Sequence, residues 1–170
     1  ADPQPGGAGH GQEDHSLPQE CKTEQIWCSL NMSSKIMKTG ILGGTFDPIH
    51  MGHLILAETA CDAYDLDRVL IMPAPDPWHK TMKTITPFCH REMMIRLAIE
   101  GNPHLEFSDF EALRPQPTYT ADTLALMKEQ DPDQELYFIM GGDALFSIEQ
   151  WHRPEDIFAN AIILASKREN

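Results

Sequence analysis

One continuous segment, Gly43-Gly44-Thr45-Phe46-Asp47-Pro48-Ile49-His50-Met51-Gly52-His53, holds the residue types best spaced to do chemistry in this chain. Paired glycines let backbone approach a ligand closely. The helix-like stretch that follows, Leu54-Ile55-Leu56-Ala57-Glu58, would present free N–H groups and the positive end of its dipole. His50 and His53, three residues apart, then fall on one side of that helix's first turn. Donors so placed can stabilise the charge that develops on a phosphate during phosphoryl or nucleotidyl transfer, where positioning and electrostatics supply nearly all of the catalysis. Two plainer readings compete: surface histidines beside a helix cap, and a zinc pair. The i,i+3 spacing would allow zinc, but no third ligand is evident, so no metal site is assigned.

The segment needs a scaffold, and the flanking pattern supplies one. Residues 39–43 read as a buried strand and 52–66 as an amphipathic helix. Arg68-Val69-Leu70-Ile71-Met72-Pro73 is a second strand closed by proline. A Pro-rich loop over 74–86 leads to Pro87 at a helix's first turn, and the helix 91–100 would turn Met94, Leu97 and Ala98 to the core. The Met93-Met94 pair reads as core. Further strands are expected at 105–108, 135–140 and 161–165, and helices at 121–129, 144–149 and 154–158. Five strands alternating with helices imply an α/β fold, a Rossmann-like, doubly wound, five-stranded parallel sheet. Ligands bind such sheets beyond the carboxyl ends of the strands. The stretches 43–53, 73–80 and 141–143 all fall at that edge.

Composition narrows the function classes. The chain has 170 residues, 41% hydrophobic, and a formal net charge of −13. That balance gives no basic stripe for nucleic acid, and any polyphosphate must be met by local donors and a divalent cation. No apolar run reaches the roughly 18 residues a membrane span requires. Cys21, Cys28, Cys61 and Cys89 form no C-x-x-C pair and read as reduced thiols, so the cytoplasm is the expected location. Residues 1–36, poor in aliphatic side chains, read as a disordered or non-native extension, and 37–170 as the folded domain. Oligomeric state, a homo-oligomer included, is left open.

The glycine–histidine segment resembles the signature of the H-x-G-H nucleotidyltransferase superfamily. Downstream, Pro117-Thr118-Tyr119-Thr120-Ala121-Asp122-Thr123-Leu124, Ile139-Met140-Gly141-Gly142-Asp143-Ala144-Leu145 and Trp151 resemble the bacterial nicotinate-nucleotide adenylyltransferases. The resemblance covers 38–165 and implies an adenylyltransferase-type fold in which ATP and nicotinate mononucleotide give deamido-NAD and pyrophosphate, with Mg²⁺ accompanying ATP. It implies that Gly43, Gly44, Thr45 and Phe46 line the nucleotide–phosphate cleft. His50 and His53 would stabilise the transition state, and His79 and Lys80 would reach the phosphates. Gly141 and Asp143 would hold a ribose, Tyr119 and Thr120 would meet the nicotinate carboxylate, and Trp151 would stack on the pyridine. Plainer roles stand beside these: Asp143 as cap of the helix 144–149, Trp151 as a core anchor, Tyr119 and Thr120 as a helix start. His90, His104 and His152 read as structural or surface residues.

Two departures qualify the likeness. The family's Pro-Pro-His-Lys loop is here Pro77-Trp78-His79-Lys80. The family's Ser/Thr-rich motif ending in Ile-Arg, which holds the triphosphate, has no counterpart by residue 170. The resemblance therefore implies a chain lacking its C-terminal part. Each charge-assisted hydrogen bond so lost is worth roughly 1.5–3 kcal/mol. The competing functions are another adenylyl- or cytidylyltransferase, such as phosphopantetheine adenylyltransferase, and a non-catalytic nucleotide-binding module.

Overall fold

A computed structural model describes residues 35–75 and 85–166. Five strands and five helices alternate: β1 (Lys38–Gly44), α1 (Met51–Tyr64), β2 (Arg68–Pro73), α2 (Phe88–Ala98), β3 (Leu105–Phe107), α3 (Thr120–Gln130), β4 (Glu135–Gly141), the single turn α4 (Gly142–Leu145), α5 (Pro154–Asn160) and β5 (Ile162–Ser166). A tight helical turn, Ile148–Gln150, lies between α4 and α5. The strands run parallel in the order β3-β2-β1-β4-β5. This is the Rossmann-like sheet expected. The strand order reverses direction between β1 and β4, where such sheets open a crevice at their carboxyl edge.

Alternation along the strands divides the core into two layers. Leu42, Val69, Ile71, Tyr137 and Ile139 pack with Ala57, Ala60 and Cys61 of α1 and with Ile95 of α2. Their strand neighbours Ile41, Leu70, Met72, Leu136, Phe138 and Met140 pack with Ala121, Leu124 and Met127 of α3 and with Ile157 of α5. Helix ends follow local chemistry. Asp65 enters the left-handed region at φ 53° and stops α1. The Met127 carbonyl accepts the Asp131 N–H at 3.1 Å and also the Gln134 side-chain amide at 2.8 Å, which together close the end of α3.

Two expectations are corrected. The stretch 144–149 is not one helix: α4 ends at Leu145, where Ser147 Oγ donates to the Ala144 carbonyl at 3.0 Å and competes with helix propagation. The core face of α2 is set by Arg91, Ile95 and Met94, while Leu97, Ala98 and Met93 are exposed. A polar residue thus occupies the position that hydrophobic periodicity assigns to an apolar one. Cys61 and Cys89 are free thiols, one buried and one exposed. Among the described residues no helix is long and apolar enough to cross a membrane.

Candidate functional site

At the carboxyl edge the chain leaves β1 through Gly43, Gly44, Thr45 and Phe46 and enters α1 one residue after His50. Phe46 adopts φ 48°, a left-handed conformation that costs a bulky residue about 1–2 kcal/mol. Its ring is buried, 2% exposed, and meets His53 edge-to-face with centroids 5.0 Å apart. Glycines keep the space beside those rings uncrowded. A Cβ at Gly44 would lie 3.1 Å from the Phe46 ring, and one at Gly52 would lie 3.1 Å from the His50 imidazole.

The two imidazoles stack with centroids 3.8 Å apart. His53 Nδ1 accepts the backbone N–H of His50 at 3.3 Å. An accepting Nδ1 carries no proton, so the neutral ring holds its proton on Nε2 and can donate it outward. Burial, reinforced by the nearby charge of His50, pushes the His53 pKa below its ordinary 6.5. The structure thus gives His53 a defined state, a neutral ring with an Nε2–H donor.

A cavity of about 610 Å³ opens beside this turn. Of the residues singled out from sequence, Gly43, Gly44, Thr45, Tyr119, Thr120 and Trp151 line it together. Phe46 lies buried next to it, and His50 and His53 stand outside its lining, at the start of α1. Gly141 and Asp143 also stand outside the lining, at the end of β4 and in the turn α4. The N-cap of α4 is Gly141, so Asp143 is not its cap. His79 and Lys80 lie outside the described residues. Trp151 is half-buried, packs roughly perpendicular to Phe138 with centroids 6.2 Å apart, and lines the cavity, so its anchor role and a place in the cavity wall coexist.

Sequence reading passed over several of the residues found there. His152, read as a structural or surface residue, is exposed, and it also stacks on Tyr119 with centroids 4.2 Å apart and lines the cavity. Arg153 pairs with Asp122 in the first turn of α3 and with Asp156 at 3.2 Å, tying the turn that carries Trp151 to the helix that carries Thr120. Glu111 also reaches the lining. It accepts the Thr123 hydroxyl at 2.8 Å and is held by Thr118 as well. Desolvation raises the Glu111 pKa, against the opposing pull of the Thr123 hydroxyl and the Arg114 charge. Thr118 and Thr123 belonged to a motif already noticed, but Glu111 offered no signal, because its role depends on a contact twelve residues away.

The arrangement offers a strained turn with exposed backbone, a neutral histidine donor, and an aromatic-walled cavity with hydroxyl and amide donors at the first turn of α3. Among the described residues no group of three or more His, Cys, Asp or Glu converges as a metal cage.

Comparison with known proteins bears on what the cleft holds. Residues 41–169 match the cytidylyltransferase-like family. The chain is 47% identical over 133 residues to a Lachnoclostridium phytofermentans protein named "Probable nicotinate-nucleotide adenylyltransferase", covering 78% of this chain and 66% of that one. It is 47% identical over 126 residues to a Thermomicrobium roseum protein of the same name, covering 74% and 59%. The chain thus spans about three fifths to two thirds of the length of these relatives. Its fold is that of the Plasmodium falciparum nicotinic acid mononucleotide adenylyltransferase. The structure of that protein complexed with NaAD superposes with a TM-score of 0.63 at 19% identity, covering 79% of this chain and 77% of that one. Its complex with APC gives 0.61 at 18%, with the same coverage.

Proposed function

The chain belongs to the cytidylyltransferase-like family, and we propose that its reaction is the transfer of the adenylyl group of ATP to nicotinate mononucleotide, giving deamido-NAD and pyrophosphate in NAD biosynthesis. A phosphate oxygen of the mononucleotide attacks the α-phosphorus of ATP. The bond from that phosphorus to the bridging oxygen breaks, and pyrophosphate leaves. Mg²⁺ travels with the ATP, and a cytoplasmic location goes with these substrates.

The observation that carries this reading is the joining of two unlike walls in one cavity: the Gly43-Gly44-Thr45 backbone on one side, and Tyr119, Thr120 and Trp151 on the other. The first suits phosphate. The second suits a flat ring with a carboxylate, since an aromatic face stacks on a heterocycle and donors at a helix start favour an anion. Each base–aromatic stack is worth about 1–3 kcal/mol. His53, with its proton on Nε2, supplies a donor for charge that grows on the phosphate oxygens, and His50 fixes its tautomer through the backbone N–H. His79, Lys80, Gly141 and Asp143 complete the assignment as phosphate and ribose contacts.

The test is to incubate the chain with ATP, Mg²⁺ and nicotinate mononucleotide and to follow pyrophosphate and dinucleotide together. Nicotinamide mononucleotide and phosphopantetheine are run in parallel. Equal amounts of deamido-NAD and pyrophosphate, with the acid preferred over the amide, are expected. Product from phosphopantetheine in place of the mononucleotide would reassign the reaction. A folded chain that binds ATP and forms no product would be a binding module and would overturn the proposal.

A further inference from the structure

The largest fully buried side chain among the described residues is a charged one, Arg91, in the first turn of α2. Its hydrogen bonds among the described residues go to backbone carbonyls, with the Asp47 charge nearby. Its Nε donates to the Thr86 carbonyl at 2.9 Å, and Nη1 donates to the carbonyls of Thr45 at 2.7 Å and Ala74 at 2.9 Å. Nη2 donates to Pro75 at 3.0 Å. These four acceptors come from three places: the turn after β1, the end of β2, and the approach to α2. Two further bonds bind the same segments, Ala74 N–H to the Gly44 carbonyl at 2.8 Å and Thr86 N–H to Asp47 Oδ2 at 2.9 Å. Burying a guanidinium is costly, and a fork satisfied by carbonyls of separate segments fixes where each one sits.

The Thr45 carbonyl is the contact that bears on chemistry. Thr45 lines the cavity, and the peptide joining it to Phe46 is trans. In a trans peptide the N–H points opposite to the C=O. With the Thr45 oxygen turned inward onto Arg91, the Phe46 N–H faces away from the buried guanidinium, and it meets no acceptor among the described residues. Phe46 is also the residue held at φ 48°, so this peptide would relax if its inward contact were lost.

Building on the adenylyl-transfer reading, the geometry points to Arg91 as a positioning residue for that reaction: from beneath the strained turn it orients the Thr45–Phe46 peptide so that the Phe46 N–H is offered to the polyphosphate. Arg91 touches neither substrate. A lysine at this site keeps the charge and the stem but cannot reach four carbonyls at once. Misplacing a reacting group by about 1 Å costs on the order of 10²-fold in rate.

The experiment compares the chain with Arg91→Lys, each assayed well below its own melting temperature so that both are folded. The kcat of Arg91→Lys should fall by about 10²-fold with KM for nicotinate mononucleotide within about threefold. A purely structural arginine would lower the melting temperature and leave kcat per folded molecule unchanged, and that result overturns the proposal. A second measurement uses the unaltered chain and needs neither turnover nor a foldable variant: the ¹⁵N–¹H resonance of Phe46 is followed as Mg²⁺–ATP is added. The Phe46 amide proton should move downfield, and by less in Arg91→Lys. An unmoved Phe46 amide in the unaltered chain, with ATP bound, also overturns it. Absence of turnover in the unaltered chain with a shifted Phe46 amide would count against the assigned reaction and leave the peptide's orientation supported.

Discussion

The two ends of the cleft are assembled in opposite ways. At the histidine end, strand, strained turn and helix start follow one another within Lys38–Gly44 and Met51–Tyr64, so neighbouring residues become neighbours in space. At the aromatic end the walls come from Glu111, from Thr118, Tyr119, Thr120 and Thr123, and from Ser147, Gln150, Trp151 and His152. Those segments meet only because α3 and α5 pack on the same face of the sheet. The first end fixes donors by backbone geometry, with the Phe46 turn, the stacked imidazoles and Arg91 beneath. The second fixes a shape through side chains, the Tyr119–His152 stack and the Arg153–Asp122 pair. Preorganised donors govern rate, and a shaped apolar wall governs which base is held. The difference therefore predicts that substitutions at one end act on kcat and at the other on KM.

The largest effect is expected at the histidine end. If His53 is the transition-state donor of the proposed reaction, His53→Ala should lower kcat by about 10²–10³-fold, with KM for the mononucleotide little changed. Steady-state kinetics decides it, and a rise in KM with kcat preserved would erase the division between the two ends. Trp151→Ala is the converse. If the indole stacks on the pyridine as proposed, its loss, worth about 1–3 kcal/mol, should raise KM for the pyridine nucleotide by roughly tenfold, with ATP affinity unaffected. An unchanged KM would place the pyridine elsewhere. Glu111→Ala is milder. It removes the 2.8 Å acceptor of the Thr123 hydroxyl, which turns instead to the Tyr119 carbonyl at 3.1 Å, so the loss of one hydrogen bond should cost about 0.5–1.5 kcal/mol of stability and loosen α3's first turn. Thermal melts and KM for the mononucleotide should shift together, and a lowered kcat alone would assign Glu111 to the chemistry.

The same contrast explains what could be read in advance. The histidine end was legible because its signal is local: glycine pairs, i,i+3 histidines and the switch from strand to helix lie within one segment. The five strands and their parallel pairing followed from strand-like runs alternating with helix-like ones, while the order of the strands in the sheet was not predicted. Arg91 was not legible, because a polar residue in a helix's first turn ordinarily faces solvent, and only the convergence of four carbonyls shows otherwise. His152 escaped because its partner, Tyr119, lies far away along the chain and meets it where α3 and α5 pack together. The break in the helix expected at 144–149 turned on one hydroxyl, Ser147, bonding back to Ala144. Long-range contacts and single capping bonds leave no periodicity to read.

The smallest effect separates the two ends by pH. His53 titrates below the ordinary 6.5 because desolvation, and then the neighbouring His50, disfavour its charged form. Its Nδ1 accepts the His50 N–H only while unprotonated, so the neutral ring is both the folded state's preferred form and the donor. The sign follows from linkage. As pH falls through 6.5 the unfolded chain takes up a proton that the folded chain still refuses. This residue's contribution to stability is therefore complete above 6.5 and declines below it, until the folded ring protonates as well. Turnover should accordingly hold level through 6.5 and fall only at more acid pH, as His53 gains its second proton. KM for the mononucleotide, set at the aromatic end, should not follow that limb. Rate profiles paired with an NMR titration of the His53 ring would test both statements. An acid limb above 6.5, or one that appears in KM and not in kcat, would show that the histidine end does not set the rate.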